Sequence, residues 1–328
     1  MIKISIHFYF RVNITHGRPN PHLNPHLNSH LPQQRPSSPR LYETALQKVS
    51  QMGDAVSRST RENYLTALRS LRRFAGENLC VGDVSQTLLH SYERWLTGQG
   101  ISRNTSSCYM RSLRAVLGKL TGADTEPLFK GVYTGRCTTE KRAVGEETVR
   151  RLKGLKLSAH SPLALARDLF LFSFYAQGMP FVDIAFLRRQ QIARGQLVYH
   201  RHKTGTRISV ALQPCMQTII SRYQAEGDYV FPLLHTADAQ AAYNEYLTQL
   251  NWYNRALKKL AQQAGIKENL TSYTARHSWA TAAYHANVEL PVISKALGHS
   301  NPQTTLTYLR EIDDHRLEAA NRRIINMV

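Results

Sequence analysis

From Leu41 to the C-terminus the apolar residues recur at helical spacing, and this rhythm gives way to strict alternation around a Lys-Thr-Gly turn. A chain so patterned must build its cores from packed helices, with a β-hairpin as an inset. Tyr64, Leu68 and Leu71 share one helical face, Leu88, Tyr92 and Trp95 a second, and Tyr109, Leu113, Val116 and Leu120 a third. Ser59 and Asp83 are expected N-caps, and Gly98 and Gly100 expected helix stops. Together these predict a compact all-helical unit over 41–122. Residues 123–145 mix Gly, Asp, Thr and Pro and read as a linker. A larger, mostly helical unit is expected over 146–328. Its first helices fall at 167–175 and 182–191, on either side of the turn Gly178-Met179-Pro180. Residues 196–200 and 207–212 alternate as strands about Lys203-Thr204-Gly205-Thr206, a hairpin with a lysine at its mouth. Further helices are expected near 214–225, 239–264, 272–286 and 289–297. Asn301-Pro302, an N-cap followed by a first-turn proline, opens a short helix carrying Tyr308, and an amphipathic stretch over 312–326 ends the chain.

Charge narrows the function. Lys+Arg 42 against Asp+Glu 23 gives a formal net charge of +19. Such an excess repels itself unless a polyanion neutralises it, and nucleic acid is the usual one. Arg58, Arg61, Arg69, Arg72, Arg73, Arg103, Arg111 and Arg114 lie on the polar faces of the first unit and form an expected phosphate-binding surface. Residues 1–40 hold no Asp or Glu and a near-repeat of Pro-His-Leu-Asn. Proline at that density forbids a helix, so this segment reads as a disordered basic arm, or as the product of a translation start placed too far upstream. His22, His26 and His30 are four apart, but the prolines remove the helix that would align them on a metal. Cys80, Cys108, Cys137 and Cys215 lack any C-x-x-C pairing and are expected to be reduced and mostly buried. The apolar opening is interrupted by Lys3, His7 and Arg11, and the stretch 163–174 by Arg167 and Asp168. Neither reads as a signal peptide or a membrane span, so a cytoplasmic protein without membrane partners is expected.

Three pieces of the second unit carry chemistry. One is Tyr273-Thr274-Ala275-Arg276-His277 on a helix, the next Leu297-Gly298-His299, the last Tyr308, nine residues after that histidine. In this order, behind a Lys-Thr-Gly hairpin and a basic helical unit, they resemble the tyrosine recombinase, or phage integrase, family. The pattern is similar to that of its Bacteroides-type subgroup, over roughly residues 41–328. The resemblance implies a SAM-like helical core-binding domain followed by a catalytic domain of the integrase breaking-rejoining fold. It implies that Tyr308 attacks the phosphorus of a DNA phosphodiester. Arg276 would neutralise the non-bridging oxygens with its planar guanidinium, and His299 would bond the same phosphate or steer the tyrosine proton. Lys203 would protonate the leaving 5′-oxygen. A 3′-phosphotyrosine conserves the bond energy, so no ATP, metal or other cofactor is expected.

Two departures stand out. Where the family usually has a histidine three residues before Arg276, this chain has Tyr273, which can still donate to a phosphate. The family's first catalytic arginine belongs at the Gly turn before an acidic residue; here Asp183 fills the acidic position, but Gln177 and Pro180 occupy the arginine positions. Arg188, Arg189, Arg201 and Arg207 are the candidates to replace it. His277 is a supporting candidate, and Trp279 reads as helix-face core. The expected partners are double-stranded DNA carrying specific recombination sites and three further copies of the chain. Leu317, Ala320, Ile324 and Ile325 would pack on a neighbouring protomer, by exchange of C-terminal segments, or on their own domain. Integration, excision or inversion of DNA is the leading reading. The missing arginine motivates a second, a recombinase-derived DNA-binding protein with weak or no activity, against which stands the joint presence of Arg276, His299, Lys203 and Tyr308. A type IB topoisomerase shares the chemistry but not the two-domain layout.

Overall fold

The computed structural model describes residues 38–135, 137, 143–223, 227–299 and 303–306, together with 322 and 325. Most of the proline-rich arm, Asn301-Pro302, Tyr308 and all but two positions of 312–326 lie outside the described residues. The chain divides into two compact units, Met1–Thr139 and Glu140–Val328.

The first unit is all-helical: α1 (Leu41–Gln51), α2 (Arg58–Ala75), α3 (Gln86–Gly98) and α4 (Arg103–Thr121). Its core takes Tyr64, Leu68 and Leu71 from α2, as the periodicity predicts, and Met110, Leu113, Val116 and Leu117 from α4. On α3 the buried set is Leu89, Tyr92 and Leu96, with Leu88 and Trp95 at the margin. The apolar stripe there is wider than one row, and the Trp95 ring, 6.0 Å from Tyr92 and 5.7 Å from Phe74, covers its edge. The caps also shift by two residues. Ser57, not Ser59, accepts the Thr60 N–H at 3.2 Å, and Ser85, not Asp83, accepts that of Leu88 at 3.2 Å. Asp83 instead takes the Cys80 N–H at 3.0 Å inside a short 3-10 turn. The cysteines are free, but none is buried: Cys80, Cys108 and Cys137 are half-buried and Cys215 is exposed.

The second unit opens with α5 (Glu146–Gly154) and α6 (Pro162–Tyr175). α6 is apolar almost all round and runs through the core; its Asp168 is buried because Arg167 (2.9 Å), Arg222 (3.0 Å) and the Tyr223 hydroxyl (2.8 Å) meet its two oxygens. The helix expected over 182–191 is shorter than that. α7 (Phe181–Ala185) stops early, because the Arg188 N–H turns to the Gln191 side chain and Arg188 bridges to Tyr229. A three-stranded antiparallel sheet follows: β1 (Ile192–Ala193), β2 (Gln196–His200) and β3 (Arg207–Ala211). Its register pairs Gln196 with Ala211 and His200 with Arg207, so Leu197, Tyr199, Ile208 and Val210 face inward. Then come α8 (Pro214–Arg222), the long α9 (Ala239–Gln263), α10 (Thr274–His285), α11 (Leu290–Leu297) and α12 (Gln303–Leu306). Phe181 stacks on Tyr253 of α9 at 4.5 Å, which seats α7 against that helix. Trp279 packs with Ala280, Ile293 and Leu297, joining α10 to α11.

Candidate active site

The turn after α6 is built to receive α10. Gln177 and Gly178 both take positive φ, 58° and 73°. Ser173 ties the turn down: its carbonyl accepts the N–H of Gly178 at 2.8 Å, and its hydroxyl donates to the Met179 carbonyl at 2.7 Å. Position 178 must be glycine, because a Cβ there would stand 3.0 Å from both Cα and Cγ of Arg276. With that space open, the Gly178 carbonyl accepts a hydrogen bond from Arg276 Nη1 at 2.9 Å. The start of α10 is held independently, by the Asn254 side chain of α9 accepting the Ser272 N–H at 2.9 Å. Arg276 is 1% exposed. Its Nη2 donates to the Leu297 carbonyl at 2.6 Å and lies 3.0 Å from His299 Nε2.

The Leu-Gly-His turn closes the other side. Gly298 ends α11 with φ 65°, and a Cβ on it would meet Ile208 Cδ1 at 2.8 Å and Arg201 Cγ at 3.2 Å. The glycine thus lets the hairpin lie directly against the end of α11. The next residue, His299, contacts Thr305 Oγ1 of α12 through Nδ1 at 2.8 Å. An arginine N–H can only donate, so Nε2 accepts from Arg276 and the ring proton sits on Nδ1, directed at Thr305. Burial first, then the charges of Arg276, Arg201 and Lys203, push the His299 pKa down from 6.5 to about 3. The imidazole is therefore neutral across the physiological range.

This has a consequence for stability. The unfolded chain binds the His299 proton below pH 6.5, whereas the folded chain resists it down to about pH 3. Stability from this group is flat above pH 6.5 and falls as the pH drops from there towards 3. Urea midpoints measured from pH 7 to pH 3 are expected to decline less steeply in His299→Asn than in the unaltered protein; equal slopes would contradict the assignment.

Asp183, 4% exposed on α7, accepts the His202 N–H at 2.8 Å, and its Oδ2 lies 3.0 Å from Arg201 Nε. Burial raises the Asp183 carboxyl above its ordinary value, against the opposing pull of Arg201, the His202 N–H and Arg276. Arg201 Nη1 donates to the same Leu297 carbonyl that Arg276 uses. Lys203 is exposed in the loop two residues further on. Of the other expected site residues, Tyr273 is the residue before α10 and is 37% exposed, and His277 is half-buried beside Arg276. Gln177 is half-buried and Pro180 is buried as the residue preceding α7.

Arg276, His299, Asp183 and the Gly178 turn are thus brought together, and Arg201 joins them. Its role was open among four arginines. Arg188 instead pairs with Asp228 at 3.2 Å and covers the Tyr229 ring at 5.1 Å, Arg189 is exposed, and Arg207 lies on the outward side of β3. The strand alternation holds the signal: Leu197, Tyr199 and Arg201 occupy successive inward positions, which places a cation where a core residue belongs. Thr305 is the other residue that pattern reading passes over, since a threonine beside a capping motif carries no mark of its partner. In the first unit several of the eight arginines have partners within it. Arg61 donates to the Gly53 carbonyl at 2.9 Å, Arg72 pairs with Glu77, Arg103 covers Tyr133 at 4.0 Å and Arg114 pairs with Glu126 at 2.7 Å. Among the described residues no group of three or more His, Cys, Asp or Glu could hold a metal ion, and no helix is long and apolar enough to cross a membrane.

Residues 146–315 match the phage integrase family, and residues 40–119 match the phage integrase SAM-like domain. The chain belongs to the phage integrase family. This integrase is 24% identical over 270 residues to tyrosine recombinase XerD of Shewanella oneidensis, covering 77% of this chain and 86% of that one. Its fold is similar to that of the Tn1549 transposon integrase in complex with transposon right end DNA, at a TM-score of 0.62 and 13% identity, over 88% of this chain and 100% of the other. A lambda integrase tetramer bound to a Holliday junction is similar at a TM-score of 0.62 and 14% identity, over 84% and 80% of the two chains. The integrase is a site-specific DNA recombinase, and the reading of a binding protein without activity is not favoured.

Proposed function

We propose that this recombinase breaks and reseals DNA with Tyr308 as nucleophile and with Arg276, His299, Lys203 and Tyr273 as the groups that act on the phosphate. Tyr308 Oη attacks phosphorus, the P–O5′ bond breaks, and the 5′-oxygen takes a proton from Lys203, leaving a 3′-phosphotyrosine. Reversal by a 5′-hydroxyl restores the phosphodiester with no net change in P–O bonds. The observation that carries the reading is the buried Arg276 guanidinium 3.0 Å from a neutral His299, whose other nitrogen contacts Thr305, three residues before Tyr308 in the chain. A guanidinium turning from His299 to a phosphate oxygen frees Nε2 to accept the tyrosine proton. Asp183 orients the site and His277 supports it. Residues 1–40 serve as a basic arm, 41–122 as the core DNA-binding domain and 123–145 as the linker to the catalytic domain. The substrate is double-stranded DNA with specific sites, and four copies assemble on it by exchange of their C-terminal segments. A tetrameric neighbour on a Holliday junction supports that assembly.

The target can be found with the protein itself. Tyr308→Phe protein selects its site from a random-sequence duplex pool, and the selected duplex is then nicked near the scissile position so that cleavage cannot reverse. The unaltered protein is expected to form a denaturation-resistant adduct with this DNA, and Tyr308→Phe to form none. An adduct that survives in Tyr308→Phe removes Tyr308 as the nucleophile.

A further inference from the structure

We propose that Arg201 is a catalytic residue, the second phosphate-binding cation that the Gln177–Pro180 turn does not provide; this rests on the recombinase reading above. Transfer of a phosphodiester needs positive donors at both non-bridging oxygens as charge builds. Gln177 and Pro180 cannot supply one. Arg201 reaches the same place from the hairpin. It is only 8% exposed, its Nε stands 3.0 Å from Asp183 Oδ2, and its Nη1 meets Arg276 Nη2 at the Leu297 carbonyl. Gly298 has no Cβ, and this is what lets the Arg201 side chain lie so close to the residue before His299.

A purely structural ion pair would need one cation for Asp183. Here two guanidinium groups converge on one neutral carbonyl oxygen, with a single buried carboxylate against Arg201, and Lys203 two residues further along. The excess positive charge at this point is what a phosphodiester, with its single negative charge, would balance. Nε and Nη1 hold Arg201 in place, and Nη2 is the arm that turns to the phosphate. Asp183 is then a positioning residue that acts through Arg201. The hairpin carries both groups, Arg201 for the non-bridging oxygen and Lys203 for the leaving oxygen.

The test compares two versions of the selected, nicked duplex. One has the ordinary phosphodiester at the scissile position, the other a neutral methylphosphonate, which has no charge for an arginine to neutralise. Arg201→Ala is expected to form adduct on the phosphodiester about a hundredfold or more slowly than the unaltered protein, and on the methylphosphonate within a few-fold of it. Arg201→Lys keeps a cation opposite Asp183 and so preserves the fold; it should be about tenfold slower on the phosphodiester and unimpaired on the methylphosphonate. Equal loss on both substrates, in either variant, would show a structural role and overturn the proposal, as would full activity of both variants on the phosphodiester. Absence of adduct from the unaltered protein would overturn the recombinase reading itself, a distinct failure.

Discussion

Arg276→Ala is expected to slow strand cleavage on the selected, nicked duplex by a factor of about a hundred to a thousand, the loss of about 3–4 kcal/mol of transition-state stabilisation. The effect is large because no neighbour can take its place. Its Nη1 is held by the Gly178 carbonyl at 2.9 Å and its Nη2 by the Leu297 carbonyl at 2.6 Å, so the guanidinium stands beside His299 before DNA arrives. Alanine also strips the Gly178 carbonyl of this donor and leaves the Leu297 carbonyl to Arg201 alone, which adds a cost to folding. The two effects separate by measurement: single-turnover adduct formation reports the first, and urea denaturation in the absence of DNA reports the second. Cleavage within threefold of the unaltered rate would remove Arg276 from the machinery.

The largest change in stability is expected from Asp183→Ala. Arg201 would then remain buried, sharing the Leu297 carbonyl with Arg276, and without its carboxylate partner. Breaking a buried pair in this way costs about 3–5 kcal/mol, because the surviving charge has no compensation. The double variant Asp183→Leu/Arg201→Met should recover most of that stability, since an apolar pair of similar volume is often neutral or better. It should not recover cleavage. Urea midpoints of the two variants test the first statement, and adduct formation by the double variant tests the second. An unfolding free energy for Asp183→Ala within about 1 kcal/mol of that of the unaltered protein would show that the pair contributes little, as a surface ion pair would.

Much of this arrangement is legible in the sequence, for physical reasons that also mark the limits. Helical periodicity reads out burial directly, so Tyr64, Leu68 and Leu71 could be placed on one face of α2. Alternation over β2 and β3 is equally direct, and the hairpin lies where the Lys-Thr-Gly turn puts it. Caps are less legible. Ser57, Ser59 and Thr60 all offer a hydroxyl within four residues, and only the backbone decides which of them accepts. The α3 face is rotated because aromatic side chains at its edge cover more than their own position. The cysteines are more exposed than their residue type suggests, and no local pattern carries that information.

The active site divides in the same way. Arg276, His299 and Asp183 are marked by motif, and their reason for meeting is marked by two glycines: Gly178 under Arg276 and Gly298 against Ile208 and Arg201. What no spacing reveals is a contact between elements. The Leu297 carbonyl serving two arginines requires the hairpin and the end of α11 to touch, across 96 residues of chain for Arg201 and 21 for Arg276. The substitution of Gln177 and Pro180 for an arginine is therefore visible in the sequence, while the residue that answers it is not. Only the inward position of Arg201, directly after β2, points to it, and that position has meaning only once the core is known.

The central claim is that the covalent bond to DNA is made at Tyr308, and the most direct measurement is to locate that bond. Adduct formed on the nicked duplex is digested with trypsin and nuclease, and the nucleotide-bearing peptide is sequenced by mass spectrometry. Cleavage after Lys295 and Arg310 releases residues 296–310, a peptide whose single tyrosine is Tyr308. The expected result is a 3′-linked nucleotide on that tyrosine. A nucleotide on any other peptide, the one bearing Tyr273 included, or a link through a 5′-phosphate, would contradict the account.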